Sequence, residues 1–176
     1  MSGDRPVLYT RRLVVAPSVP EDRDDFIALE RDADVMRYLN GGAVDHSVTD
    51  PLEAPFLMLR GGEPDVWSIR LRHSGAFVGW LSLRPVDNGQ AELGYRLCKS
   101  AWGQGLATES AGALVAWGLE RAGYGRITAQ TMAVNQASRR AMEKIGMRYI
   151  RTEYAEYADP IAGSEQGEVI YEVVSG

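Results

Sequence analysis

Between residues 90 and 134 the chain reads as strand, glycine-broken turn, long helix and strand, and that order leaves few folds open. Residues 90–97, QAELGYRL, carry strand character, and "CKSAWGQG" follows with two glycines one residue apart. A helical repeat then runs from Leu106 or Ala107 to Ala122, with Ala107, Ala111, Leu114, Val115, Gly118 and Ala122 along one face and a stop at Gly123. "RITAQTMAV", 126–134, is again a strand. Two strands joined by a crossover helix lie parallel in one sheet, and the crossover is right-handed.

The remaining segments hang on that unit. Strand patterns at 66–72 and 76–84 precede it, separated by "HSG" and, before residue 90, by "PVDNG". Asn88-Gly89 tolerates positive φ at both positions, which predicts a tight turn and an antiparallel meander. Upstream, 11–16 reads as a first strand and a helix starts at Pro20, with Phe26, Ile27 and Leu29 as its apolar positions. Two further helices are expected, at 33–39 before Gly41 and Gly42, and at 49–59 with Asp50 as N-cap and Pro51 in the first turn. Downstream, "QASRRAMEKI" predicts a helix ended by Gly146, and 147–157 and 167–174 predict the last strands. Residues 1 to 8 are expected to form a loose end. The sum is one α/β domain over 1–176, a mixed sheet with helices on its faces.

Charge narrows the ligands. A net charge of −5 and a pI near 5.1 give no basic face for nucleic acid, so a polyanionic ligand would have to be held locally. Cys98 is the only cysteine, and His46 and His73 sit in unrelated contexts, so neither a disulfide nor a structural metal site is expected. No apolar leader or membrane-length apolar run stands in the sequence, and a cytoplasmic, membrane-free protein is expected.

The paired glycines at the mouth of a helix suit an anion. Gly103 and Gly105 lack Cβ atoms and Ala107 has only a methyl, so phosphate oxygens can approach the backbone, where first-turn N–H groups and the helix dipole favour them. A plain turn that needs glycine for positive φ explains an isolated GxG equally well. A P-loop would need lysine and a hydroxyl residue after its last glycine, and here Leu106 and Ala107 follow. A dinucleotide fingerprint would need a third glycine where Thr108 stands. A coenzyme A pyrophosphate loop remains.

At this point the sequence resembles the GNAT superfamily of acetyl-CoA-dependent N-acetyltransferases, within it the RimJ/RimL-like branch of ribosomal-protein N-terminal acetyltransferases. The resemblance rests on "ELGYRLCKSAWGQGLATES", 92–110, together with "NQASRRAMEKIGMRYI", 135–150, and more loosely on "TRRLVV" and "DADVMRYL". Gly105 and Ala107 match the superfamily's Q/R-x-x-G-x-G/A signature, while Trp102 takes the Q/R place, as is common in this branch. The resemblance implies a mostly antiparallel central sheet with one splayed parallel pair and helices on both faces. It also implies acetyl-CoA as cosubstrate, with main-chain groups near Leu97 along the pantetheine arm. The pyrophosphate would sit on the amides of Gly103, Gln104, Gly105, Leu106, Ala107 and Thr108, beside Trp102. Asn135 and Ser138 would lie across the cleft where the parallel strands diverge, although Asn135 is also a natural N-cap for the helix after it.

Acyl transfer to an amine requires a neutral amine, a polarised thioester carbonyl and a proton for the thiolate. Glu92, on the strand leading into the loop, is the candidate base, with an ordinary solvated carboxylate as the alternative. The superfamily's usual tyrosine acid falls at Met142, which has no proton to donate, and the resemblance suggests the Ser138 hydroxyl instead, with water or Tyr95 as other sources. A backbone N–H on strand 90–97 would polarise the carbonyl. Cys98 reads as a small buried hydrophobe rather than a covalent carrier, which leaves direct attack in a ternary complex. Trp67, Trp80 and Trp117 read as core aromatics; Tyr154 and Tyr157, with Glu153, Glu156 and Asp159, either line an acceptor entrance or form a solvated edge. The expected acceptor is a protein N-terminal α-amine or a small amine, and the expected assembly a monomer or homodimer. A non-catalytic acyl-CoA-binding module is the competing reading, prompted by Met142.

Overall fold

The computed structural model describes residues 4–176. Its eight strands form a single sheet: β1 (Leu8–Tyr9), β2 (Leu13–Pro17), β3 (Val66–Leu71), β4 (Phe77–Val86), β5 (Gln90–Leu97), β6 (Arg126–Met132), β7 (Arg148–Glu153) and β8 (Glu168–Val174), in the order β1-β2-β3-β4-β5-β6-β8-β7. All neighbours are antiparallel except β5 and β6. The Asn88-Gly89 turn forms as its residues dictate, with φ of 60° and 69°, and fixes the β4–β5 register.

Helices cover both faces. On one, α2 (Leu106–Glu120) and α3 (Gln136–Lys144) pack Leu106, Ala111, Leu114, Val115 and Met142 onto Leu81, Leu83, Leu93 and Ile127. Gly118 permits α2 to approach the sheet, since a Cβ there would lie 2.8 Å from Leu83 and 3.0 Å from Ile127. On the other face, α1 (Arg23–Arg31) sets Phe26 and Leu29 against Val66 and Trp80. Each face thus buries an apolar stripe that water would otherwise meet, at roughly 25 cal/mol per Å2.

Three expectations are corrected. Residues 49–59 do not form a helix: Pro55 has no N–H to give, and the segment divides into two single turns, closed by Ala54 N–H to the Asp50 carbonyl and by Met58 N–H to the Ala54 carbonyl. Residues 33–39 are also turns; Asp32 bonds the Asp34 and Val35 amides with its own carboxylate, and Arg37 reaches only three residues back. The expected loose end over residues 1 to 8 begins outside the described residues, but Arg5 bonds the Glu63 carbonyl, the Pro6 carbonyl accepts from the Trp67 indole, and Leu8 opens β1. Trp67 and Trp80 are buried core, and Trp67 packs against Trp117.

Candidate active site

β5 and β6 pair from Gln90↔Arg126 to Leu93↔Ala129 and then part, although β5 continues to Leu97 and β6 to Met132. A cleft of about 1030 Å3 opens at the divergence. Strand chemistry decides what faces it. Cys98 N–H donates to the Val78 carbonyl, so the even-numbered residues of β5 exchange main-chain bonds with β4. The N–H and C=O groups of Tyr95 and Leu97 therefore turn toward the gap that β6 has left. One of these, the Leu97 carbonyl, accepts the Trp102 indole N–H at 3.1 Å.

Beyond β5 the chain enters the glycine turn. Gly103 and Gly105 have φ of 71° and 75°, which costs an L side chain roughly 1–2 kcal/mol, and Gly105 is the N-cap of α2. Nothing lies within 4 Å of a Cβ built on Gly103, so positive φ, rather than crowding by protein atoms, is what demands glycine here. Among the described residues, the backbone N–H groups of Gly103 to Thr108 make no well-aligned hydrogen bond to another main-chain group. The dipole of the 15-residue α2 adds favourable potential for an anion at that end. Glu109, in the same turn, is diverted from the loop: it accepts from Thr10 Oγ1 (2.6 Å), Arg12 N–H (2.8 Å) and Arg12 Nε (2.7 Å). Burial works against its charge, yet these bonds prevail and hold the carboxyl below its ordinary range.

Of the residues singled out in the sequence, Glu92, Leu97, Trp102, Gly103, Gly105, Leu106, Ala107, Thr108, Asn135 and Ser138 line the cleft. Gln104 does not; its side-chain amide folds back to the Ser100 carbonyl at 2.8 Å. Asn135 caps α3, its Oδ1 accepting from Ser138 N–H at 3.3 Å while its Nδ2 donates to Thr131. Ser138 Oγ lies 2.7 Å from the Tyr95 hydroxyl, which also reaches the Ser138 carbonyl at 3.1 Å. A tyrosine of β5 and a serine of α3 thus join hands across the splay. Burial raises the Tyr95 pKa, the Ser138 bond opposing, so the phenol stays protonated through neutral pH.

Glu92 shares its face of β5 with Gly94 and Arg96, opposite the face of Tyr95 and α3. Its carboxylate makes no hydrogen bond or ion pair with the described residues, and its cross-strand neighbour Arg84 is engaged by Asp65. Met142 is buried, 2% exposed. Cys98 lies outside the cleft against the α1 cluster, its thiol pushed up by burial. Tyr154, Tyr157, Glu153, Glu156 and Asp159 are not brought into the cleft wall. Sequence reasoning missed Arg140 and Lys144 of α3, both in the cleft wall, and Arg96. The signal for Arg96 was available, a charged residue at an inward position of an otherwise apolar strand end.

Comparison with known proteins bears on the family and the fold. Residues 12–148 match the family described as "Acetyltransferase (GNAT) domain". The FsC-acetyl coenzyme A-N(2)-transacetylase of Aspergillus fumigatus is 29% identical over 190 residues, spanning 96% of this chain and 76% of its own. A GNAT-family acetyltransferase structure from Bacillus anthracis superposes with a TM-score of 0.79 at 22% identity, over 96% of this chain and 98% of the other. The ribosomal-protein acetyltransferase RimL, solved in complex with coenzyme A, superposes at 0.75 with 17% identity, over 96% and 97% of the two chains. The last two likenesses speak for the fold.

Proposed function

The chain belongs to the GNAT acetyltransferase family and is an N-acetyltransferase, and from that premise we propose that it moves the acetyl group of acetyl-CoA to a primary amine by direct attack in a ternary complex. The observation that carries this reading is the Tyr95–Ser138 hydroxyl pair, set where β5 and β6 part and continuous with the free amides of residues 103–108. In this reading those amides receive the pyrophosphate, and Arg140 and Lys144 supply local positive charge that the acidic chain otherwise lacks. The main-chain groups of Tyr95 and Leu97 bind the pantetheine arm as an added strand would, and one N–H polarises the thioester carbonyl.

The amine nitrogen then bonds to the carbonyl carbon and the C–S bond breaks. Glu92 takes the amine proton, directly or through a water. The proton for the thiolate comes from the hydroxyl pair. A phenol, with an ordinary pKa near 10, is far the better acid of the two, so Tyr95 is the source and Ser138 relays or positions. Buried Met142 plays no part in proton transfer. The ribosomal-protein branch, and with it a protein N-terminal α-amine as acceptor, is supported by Trp102 in the loop and the missing tyrosine at 142; a small amine fits the same cleft.

Thiol release from acetyl-CoA across a panel of peptides and small amines tests the reading. Turnover with at least one amine, reduced about 100-fold in kcat/KM by Glu92→Gln, is the expected result. Tight acetyl-CoA binding with no release from any amine would overturn it in favour of a binding module.

A further inference from the structure

On the acceptor side of β5 the structure buries donors without acceptors. Arg96 is 4% exposed, and its Nε and Nη2 have no partner. Among the described residues, the only hydrogen bond of its guanidinium is a long one, from Nη1 to the Leu57 carbonyl at 3.4 Å. The guanidinium lies over the Trp80 ring (4.9 Å) and near that of Phe56 (5.9 Å), and the Trp80 indole N–H is buried and unpartnered as well. Three of the four buried polar atoms that lack a partner among the described residues are thus N–H donors of these two side chains.

The nearby carboxylate that could answer this charge is already taken. Glu30 is held by His46 at 2.9 Å and Arg60 at 3.2 Å, which leaves Arg96 as surplus positive charge. Burial is strong enough to push the Arg96 pKa down to about 10, even with Glu30 favouring the cation. A buried cation without a counter-ion is costly to hold, and an arriving anion would relieve that cost. Arg96, Gly94, Phe56 and Leu57 all belong to the wall of the cleft, and Phe56 and Leu57 sit on the segment of single turns rather than on a helix or strand.

We infer that Arg96 receives the carboxylate of an acceptor that carries both an amine and a carboxylate, which selects the small-amine acceptor named above, of amino-acid type, over the protein N-terminus. The inference rests on the acetyl-transfer reading above. Glu92 and Arg96 stand on one face of β5, two residues either side of Gly94, at most about 13 Å apart along the strand. An amine at the Glu92 end and a carboxylate at the Arg96 end therefore belong to one compact molecule. The carboxylate takes the place of the Leu57 carbonyl and accepts from the guanidinium in paired bonds.

Matched amines that differ by the carboxylate test this: γ-aminobutyrate against butylamine, and lysine against cadaverine. In the wild type, kcat/KM is expected to favour the carboxylate member at least about tenfold. Arg96→Gln is expected to abolish the preference through KM for the amine, with KM for acetyl-CoA unchanged, and Arg96→Lys to restore part of it. A wild type without preference, or an Arg96→Gln protein impaired equally toward both members, overturns the inference and leaves acetyl transfer standing. If no amine releases thiol, the transfer reading fails separately. Calorimetric titration of the same pairs into the CoA-loaded protein then decides: tighter binding of the carboxylate member, lost in Arg96→Gln, supports the role of Arg96, and equal binding removes it. Arg96→Gln is also expected to melt at or above the wild-type temperature; a marked drop, with Arg96→Lys restoring stability and no substrate preference, assigns Arg96 to structure alone.

Discussion

Tyr95 and Ser138 come from different elements and share one short hydrogen bond, so their substitutions should not add. Tyr95→Phe and Ser138→Ala are each expected to lower kcat about 10- to 100-fold, and the double variant to be no worse than the poorer single one. Single-turnover kinetics checks this; losses confined to KM would contradict it. The pH dependence has a definite sign. Because burial raises the Tyr95 pKa, the donor stays protonated as pH rises through the ordinary phenol range, and activity should show no basic limb below that range. Glu92, Ser138 and Asn135 could be singled out because loop and helix motifs fixed their neighbourhoods, and the structure puts all three in the cleft wall. Gln104 lies in the same motif, yet its side chain turns to Ser100, a choice no spacing encodes. Arg96 carried a signal, a charge at an inward strand position, but that signal does not say whether a partner awaits it inside the fold.

At the scale of elements, glycines set the geometry of the loop and of the β4–β5 pair. Gly105→Ala places a Cβ at φ 75° and is expected to cost about 1–2 kcal/mol and raise KM for acetyl-CoA, while a Cβ contact of 3.5 Å to Arg12 adds little. Gly79→Ala should be more damaging, since its Cβ would stand 2.2 Å from the Arg96 carbonyl oxygen and 2.8 Å from Leu97 Cα. Backbone cannot swing aside as a side chain can. A loss of about 3 kcal/mol in denaturant titration is expected, and a neutral Gly79→Ala would show that β4 and β5 are not held that closely. The elements read best from sequence were those with long periodic runs: β5 is predicted and found at Gln90–Leu97, and α2, predicted from Leu106 or Ala107 to Ala122, is found at Leu106–Glu120. The segments 33–39 and 49–59 failed for local reasons. Pro55 withholds a donor, and Asp32 gives its carboxylate to amides that a helix would have used.

Across the whole molecule, one contact ties the ligand loop to the far edge of the sheet. Glu109, in the first turn of α2, accepts three hydrogen bonds from the β1–β2 connection, through Thr10 and Arg12. Its pKa is lowered in the folded state, so its contribution is present above the carboxylate range and is lost as pH falls through it. Glu109→Gln is therefore expected to destabilise by about 1–2 kcal/mol at neutral pH, with the difference from wild type closing in acid. Thermal melts of both proteins across pH check this, and a constant gap would contradict it. The sheet order was only partly legible: the meander and the crossover dictate β3-β4-β5-β6, but the insertion of β8 between β6 and β7 depends on long-range pairing that local pattern does not carry. No helix among the described residues is long and apolar enough to cross a membrane. The central claim, that residues 103–108 and the splay form an acetyl-CoA site, is tested most directly by thermal-shift titration with acetyl-CoA beside ATP and NADH at matched concentrations. A saturable stabilisation by acetyl-CoA, about 2.7 kcal/mol at 100-fold over its dissociation constant and absent with the other two, is the predicted result. Equal shifts with all three ligands, or none with acetyl-CoA, would contradict it.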